Sequence, residues 1–370
     1  MLKPEQIDKY SYNRVVKLYN DLTIEICQDM ISRIEAMGDI TQTSKDQIDI
    51  LTELNAQEIF DEVVIKTSSL DDATKKALQD LYADAMKKDM KDYKPLYQYR
   101  NKEFKLTPTQ LRILNKGINE NNKIIRNFTN SMAFESKKTF IDSVDKAYIK
   151  ASSGAMSVDS AIHQSYKEIA STGLKMEDKA GRKVNIDVAV RRSVTTGIQQ
   201  TANDINEEVG KYLGCDGYEV TAHIGARPTH AIAQGKQYAV SKSDAKKYGV
   251  DWWYDRVDGT PVAELWEEPN CRHTVFPIIL GISEPVYSKK ELNKYKQTHV
   301  TLYGKRTPIY EANQTMRYIE RQIREYKRQI KILGDKDHKE ESALLKKWQQ
   351  EYDRVSKETG IEKDYARIRI

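Results

Sequence analysis

The chain has 370 residues, of which 39% are hydrophobic and 31% charged, and a net charge of +5; these values argue against a disordered chain and against one small domain. Its three cysteines, Cys27, Cys215 and Cys271, are odd in number and far apart, which argues against a disulfide framework and favours folding in a reducing compartment. No apolar run resembles a signal peptide or approaches the roughly 20 residues of a membrane span, so we expect neither.

The first hundred residues predict helices. From Val15 to Met37, apolar residues recur every three or four positions, which is the period of one helix face, and Gly38 should end this helix. Further helices are predicted to start at Ser44 and at Ser69, because each hydroxyl is followed three residues later by a side chain that can complete a capping box. We therefore expect an N-terminal helical region over residues 1–106.

The next region also predicts long helices. Thr107-Pro108-Thr109-Gln110 combines an N-cap hydroxyl, a proline at the first helical position and a glutamine that can close a capping box. The helix that starts there should run to about Ser152, with a break near Gly117. A stripe of apolar residues from Asn185 to Leu213 predicts another long helix. Residues 107–214 are thus predicted to be a long-helix region.

The composition changes after this region. Residues 215–284 hold three of the four tryptophans, three of the six histidines and two of the three cysteines. Short alternating runs such as Tyr218 to Ala222 are typical of strands. We therefore predict a small α+β module here, within a chain that is otherwise mostly α-helical.

The tail, residues 285–370, predicts a basic helical hairpin. It holds 21 Lys and Arg against 13 Asp and Glu, whereas the rest of the chain holds 39 against 42. A first helix should begin at Thr307-Pro308 and end near Leu333, and a second should close before Gly360. In the first helix a cationic line lies about 200° round from the apolar stripe, and its members are Arg317, Arg321, Arg324, Arg328 and Lys331.

A basic tail on a near-neutral body indicates an anionic partner. Nucleic acid is the obvious candidate, and the cationic line would be its binding surface. A solvated, lysine-rich surface explains the charge equally well.

One group of polar residues could carry chemistry. Within the α+β module, His223 and His230 precede Gln234, and Cys271 and His273 follow about forty residues later. Cys271 and His273 are two apart in extended chain and should point to the same side. His230 and Gln234 are four apart and should share one face of a short helix.

Several functions are open to this group. His223, His230, Cys271 and His273 could together hold a tetrahedral zinc ion, because thiolate and imidazole are its preferred ligands. Alternatively, the histidines only hydrogen-bond loops while Cys271 packs. A cysteine nucleophile with a histidine base and a metal-dependent nuclease are further alternatives. No CxxC motif, orienting third group or cluster of acidic ligands is evident, so we predict a protein that is not an enzyme and has no certain cofactor.

In these segments the sequence resembles the phage minor capsid protein 2 family. A similar Arg-Pro-x-His followed by Asn-Cys-Arg occurs in the F-like head-morphogenesis proteins of Mu-type phages. Those relatives tend to carry a second cysteine where this chain has His273, and either residue can bind zinc. The positions that carry the resemblance, besides the possible ligands, are Arg227, Gln234, Gly235, Asn270 and Arg272.

The resemblance implies a structural protein of a tailed bacteriophage. Such a protein would be made in the host cytoplasm and built into the head in a few copies, near the portal vertex. Its partners would be portal or major capsid proteins and the packaged double-stranded DNA. The family supplies no reaction. The alternatives are a metal-dependent hydrolase, acting on nucleic acid or cell wall and carried in the virion, and a host-encoded scaffold or toxin-delivery module of prophage origin.

Overall fold

The computed structural model describes residues 1–10, 12–178, 181–268, 270–296 and 299–370. Long helices dominate, and one small mixed module interrupts them, so the predicted fold class is confirmed. The helices of the first half are α1 (Pro4–Lys9), α2 (Arg14–Met37), α3 (Lys45–Ser69), α4 (Asp71–Lys91), α5 (Lys94–Tyr99), α6 (Pro108–Arg126), α7 (Phe128–Ser152) and α8 (Val158–Thr172).

Local sequence signals set several of these helix ends. The helix α2 ends at Gly38, as predicted, and the Thr107 hydroxyl and the Gln110 side chain close the expected capping box at the start of α6. The start predicted at Ser69 is wrong. That residue still belongs to α3, and its hydroxyl donates to the Lys66 carbonyl oxygen at 2.7 Å instead of capping α4.

The helix break predicted near Gly117 is also wrong. The helix α6 continues through Gly117 and the break falls at Asn127, between α6 and α7. A Cβ atom at Gly117 would lie 2.1 Å from the Thr201 hydroxyl oxygen, so this glycine allows close helix packing. Thr201 belongs to α9 (Ile186–Leu213), which follows the hairpin of β1 (Lys175–Glu177) and β2 (Lys183–Asn185).

The mixed module is built on a four-stranded sheet, whose strands in spatial order are β5 (Asp251–Trp252), β4 (Gln237–Ala239), β3 (Gly217–Val220) and β8 (Val275–Ile278). The strand β3 is antiparallel to both neighbours, and Gly217 pairs with Ala239 on one side and with Ile278 on the other. The elements of the module are β3 (Gly217–Val220), α10 (Pro228–Ala233), β4 (Gln237–Ala239), α11 (Lys242–Tyr248), β5 (Asp251–Trp252), β6 (Arg256–Val257), β7 (Thr260–Pro261), α12 (Val262–Leu265) and β8 (Val275–Ile278).

The tail forms the predicted helical hairpin, but its first helix starts later than expected. Thr307 and Pro308 end a strand, and the helix begins at Ile309. The sequence analysis missed the two-stranded hairpin that precedes it. The elements are α13 (Lys289–Lys296), β9 (His299–Leu302), β10 (Lys305–Pro308), α14 (Ile309–Leu333) and α15 (Lys339–Thr359).

The long helix α9 lies at the centre of the molecule and contacts α2, α4, α6 and β8. The largest hydrophobic core surrounds it and also takes in Ile278 from β8 and Leu333 from α14. This core joins side chains of all four predicted regions, whose boundaries stay a prediction. Among the described residues, none of the helices is both long and apolar enough to cross a bilayer.

Candidate functional site

The structure brings together the two polar segments of the module, residues 223–235 and 270–273. His230 on α10 meets Cys271 and His273, which lie in the extended chain before β8. The Cys271 sulfur lies 3.5 Å from Nδ1 of His273 and 3.8 Å from Nδ1 of His230, and the two Nδ1 atoms are 3.4 Å apart. Each residue is at most 3% exposed. We call these three residues the His/Cys cluster.

Buried amides of α9 hold the segment that carries the His/Cys cluster. Gln199 donates from Nε2 to the carbonyl oxygens of Trp266 and His273, at 2.8 and 2.7 Å. Asn203 accepts the Val275 N–H at 3.0 Å. These side-chain amides pair with buried main-chain groups that would otherwise have no hydrogen-bond partner. The central helix thereby fixes the positions of Cys271 and His273.

His223 lies beside the cluster but is not one of its converging donors. Its ring lies against the His273 ring, tilted by 35° with 4.7 Å between centroids, and its Nδ1 lies 3.1 Å from the Ile224 carbonyl oxygen. The main-chain N–H of His223 donates to Oε1 of Gln234 at 3.0 Å, and the same oxygen lies 2.9 Å from Nε2 of His273. Three of the four predicted zinc ligands therefore converge, and the fourth packs against them.

The other residues of the family resemblance support this arrangement. Arg227 forms an ion pair with Glu268, whose Oε2 also lies 3.4 Å from Nε2 of His230. Gly235 has a φ of +68°, and a Cβ atom there would lie 2.3 Å from a methyl carbon of Leu292, so both backbone and space favour glycine. Asn270 also has a positive φ, of 64°, which asparagine tolerates better than most residues.

Burial makes the His/Cys cluster electrically neutral near pH 7. It lowers the pKa of His223 and of His230, and it lowers the pKa of His273 well below the usual range. Burial also raises the pKa of the Cys271 thiol to about 11. Neutral imidazoles keep one nitrogen lone pair each, which is what a metal ion or a hydrogen-bond donor requires.

A cavity of about 320 Å³ opens beside the cluster, and arginine is the commonest residue in its lining. All three cluster residues and His223 contribute to its wall, and Glu320 is the one acidic residue among the described residues that line it. We call it the arginine-lined cavity. Its arginines come from α9, from both motif segments, from α14 and from the end of the chain: Arg191, Arg192, Arg227, Arg272, Arg317, Arg321, Arg324 and Arg367.

Two carboxylates, one buried and one partly exposed, neutralise part of this charge. Asp187, in the first turn of α9, lies 3.3 Å from Nε of Arg324 and 3.3 Å from Nη1 of Arg328. Although burial alone would raise the pKa of Asp187, these arginines hold it below its ordinary value. Asp8 lies 2.8 Å from both Arg272 and Arg367 and ties the first helix to the wall of the cavity.

The expected cationic face of α14 is interrupted. Arg324 and Arg328 are only 6% and 2% exposed, because α14 packs on α2 and α8 as well as on α15. The expectation that both face solvent is wrong. Arg321 and Lys331 are exposed, and Arg317 is half-buried against the cavity. Sequence reasoning missed Asp187, whose only signal was an acidic residue in the first turn of a long helix.

The positive charge of the cavity exceeds what its carboxylates neutralise. Burial and the nearby Arg324 lower the pKa of Arg191 to about 10, and burial and Arg367 lower the pKa of Arg317. Burial is the larger cause of both shifts and the neighbouring guanidiniums add to it, whereas nearby carboxylates raise the pKa of Arg367. The cavity is therefore suited to an anion, and planar guanidiniums favour phosphate or carboxylate oxygens.

The chain is similar in sequence to structural proteins of bacteriophages. The sequence model of the phage minor capsid protein 2 family matches residues 2–354. A structural protein of Lactococcus phage LL-H is 27% identical in an alignment 208 residues long that covers 54% of this chain. The chain spans about half of that curated relative, since the match covers 51% of its length. No solved structure matches the chain.

Proposed function

We propose that this chain, which belongs to the phage minor capsid protein 2 family and is a structural protein of the phage particle, lies in the head beside the portal vertex and contacts packaged DNA. It would assemble in the host cytoplasm with portal and major capsid subunits. The observation that supports the proposed DNA contact is the arginine-lined cavity. Eight arginines line this cavity, and among the described residues only one acidic side chain, Glu320, lines it with them.

The chemistry of the cavity favours phosphate groups over bases. Guanidinium groups bind phosphate oxygens in pairs of parallel hydrogen bonds, whereas sequence is read on base edges in the grooves. Arg321 is exposed on α14, and Arg192 and Arg317 are half-buried at the cavity wall. We expect these side chains to reach the DNA backbone, so that binding is independent of sequence and weakens as salt is added.

The contacts with neighbouring subunits are assigned to α3 and α7, which pack against each other. Ile50, Leu54 and Ile65 lie on one face of α3 and are 60%, 59% and 68% exposed, and Phe134 on α7 is 64% exposed. Exposed apolar side chains along one helix face, such as the three on α3, are typical of protein interfaces. A double substitution, Leu54→Asp with Ile65→Asp, should leave the fold intact by circular dichroism and prevent incorporation into particles. Normal incorporation would rule out this surface.

The DNA contact is tested with the full-length protein and a short labelled duplex. Fluorescence anisotropy should show binding at low salt that falls steeply as salt rises, and each lost phosphate contact should reduce the logarithmic salt slope by about 0.9. Arg321→Gln with Arg192→Gln should therefore lower both affinity and slope. Lys331→Gln is the matched control, because Lys331 is also exposed on α14 but does not line the cavity.

Two results would contradict the DNA contact. The first is no binding by the unsubstituted protein at low salt. The second is an equal loss for the control and the cavity variants, since this would assign binding to general surface charge. The alternative function, metal-dependent hydrolysis of nucleic acid or cell wall, stays a prediction. It would require both a bound metal ion and a substrate that the protein cleaves.

A further inference from the structure

We propose that His230, Cys271 and His273 bind a divalent transition-metal ion of the zinc class, with a fourth coordination position that opens into the arginine-lined cavity. The three ligand atoms would be the Cys271 sulfur and Nδ1 of each histidine. This inference does not depend on contact with DNA, and the failure of one proposal would leave the other standing.

The distances between the three donor atoms match one face of a metal tetrahedron. Zinc binds nitrogen at ~2.0–2.1 Å and sulfur at ~2.3 Å, so tetrahedral angles place two nitrogens about 3.3 Å apart and a nitrogen about 3.6 Å from the sulfur. The structure has 3.4 Å between the nitrogens of His230 and His273 and 3.5 and 3.8 Å from each to the sulfur of Cys271. One ion can therefore contact all three donors without movement of the backbone.

A chain of hydrogen bonds fixes which nitrogen of His273 is free to bind. The main-chain N–H of His223 can only donate, so the Gln234 atom that it contacts is the amide oxygen. That oxygen can only accept, so Nε2 of His273 carries the proton of the neutral ring. Nδ1 of His273 therefore points an unshared electron pair at Cys271 and His230. Such outer hydrogen bonds orient the imidazole ligands of metal sites.

His230 has a carboxylate near its outer nitrogen, although the contact does not have hydrogen-bond geometry. Its Nε2 lies 3.4 Å from the carboxylate of Glu268, which Arg227 holds in place. A proton on Nε2 that faces this carboxylate would leave Nδ1 with its electron pair directed at His273. Two such electron pairs repel each other at 3.4 Å, and a shared cation removes that repulsion. With a metal ion bound, Glu268, His230 and the ion would follow the order of carboxylate, histidine and metal that is common in zinc proteins.

The fourth position is left to an exchangeable ligand. His223 does not occupy it, because its ring lies against the His273 ring and the donor atoms that converge are those of His230, Cys271 and His273. The three ligands lie in the wall of the arginine-lined cavity, and a water molecule or an anion oxygen can approach from there. Three protein ligands with one exchangeable position are typical of zinc sites that bind or activate small molecules. On metal binding the Cys271 thiol releases its proton and becomes the thiolate ligand.

The site is tested with full-length protein that is stripped of metal and titrated with cobalt(II), a coloured substitute for zinc. We expect one equivalent per chain, intense visible absorption typical of tetrahedral cobalt, and a near-ultraviolet band from thiolate coordination. Cys271→Ser should lose that band, whereas the matched control Cys215→Ser should retain it. Inorganic phosphate should shift the visible bands, because it can reach the fourth position from the cavity.

A second measurement needs no variant and covers the case in which Cys271→Ser does not fold. X-ray absorption at the zinc edge of the loaded, unsubstituted protein should show one sulfur at about 2.3 Å and three nitrogen or oxygen ligands at about 2.0 Å. Failure to bind one equivalent, or a zinc shell without sulfur, would overturn the proposal. The three side chains would then form only a buried hydrogen-bonded cluster.

Discussion

Replacing Asp187 with asparagine should destabilise the protein strongly. Asp187, Arg324 and Arg328 have side chains that are 3%, 8% and 3% exposed, and both arginines lie 3.3 Å from the carboxylate. Loss of the negative charge leaves the buried Arg324 without its carboxylate partner, while Arg328 keeps its ion pair with Glu325. Breaking a buried pair in this way costs about 3–5 kcal/mol. We expect a value near the lower limit for Asp187→Asn, because the amide oxygen still accepts a hydrogen bond, and a larger loss for Asp187→Ala.

The free energy of unfolding in urea, followed by far-ultraviolet circular dichroism at pH 7, measures this loss. The matched control is Asp21→Asn, which removes an ion pair with Lys17 whose side chains are 51% and 58% exposed. Exposed pairs of this kind contribute about 0–1 kcal/mol, so the control should unfold at nearly the same urea concentration as the unsubstituted protein. If Asp187→Asn matched the control, the ion-pair network under the cavity would not stabilise the fold.

Three further substitutions test the supports of the site by the same unfolding assay. Burial raises the pKa of Asp8, but Arg367 and Arg272 outweigh this and lower the pKa to about 2. The carboxylate therefore stabilises the fold fully above the unfolded pKa of about 3.9, and this contribution is lost as the pH falls through 2. Asp8→Asn should therefore cost about 2 kcal/mol at pH 7 and flatten the loss of stability between pH 4 and 2; an unchanged acid profile would contradict this. Gln199→Leu leaves two buried carbonyl oxygens without donors and should cost about 2 kcal/mol or more, whereas a neutral result would mean that water replaces the amide. Gly235→Ala should cost more than Gly154→Ala, since both have positive φ but only Gly235 has a neighbour within 4 Å; equal losses would show that backbone strain alone acts.

Helix ends with complete local signals could be predicted from the sequence, and those that depend on tertiary contacts could not. The capping box at Thr107 and the glycine stop at Gly38 act within one turn of their own helix. Ser69 has the same local signal as a cap, but its hydroxyl bonds back to the preceding turn. Gly117 appeared as a helix break because glycine weakens helices, yet it is required by close contact with α9.

The candidate site could be predicted in part. Residue types and spacing placed His230, Cys271 and His273 in one group, because each segment has a local geometry that points its polar side chains to one side. They could not show that the ring of His223 stacks beside the group. The burial of Arg324 was also beyond reach, because its partner Asp187 is 137 residues earlier in the chain and only the packing of α14 on the central helix brings them together.

A cryo-electron microscopy reconstruction of the phage particle that contains this chain tests its proposed location most directly. We predict density for the chain inside the head at the portal vertex, with Arg321 and the opening of the arginine-lined cavity turned toward the packaged DNA. Density on the outer surface of the particle, or an opening covered by a protein subunit, would contradict the proposed DNA contact.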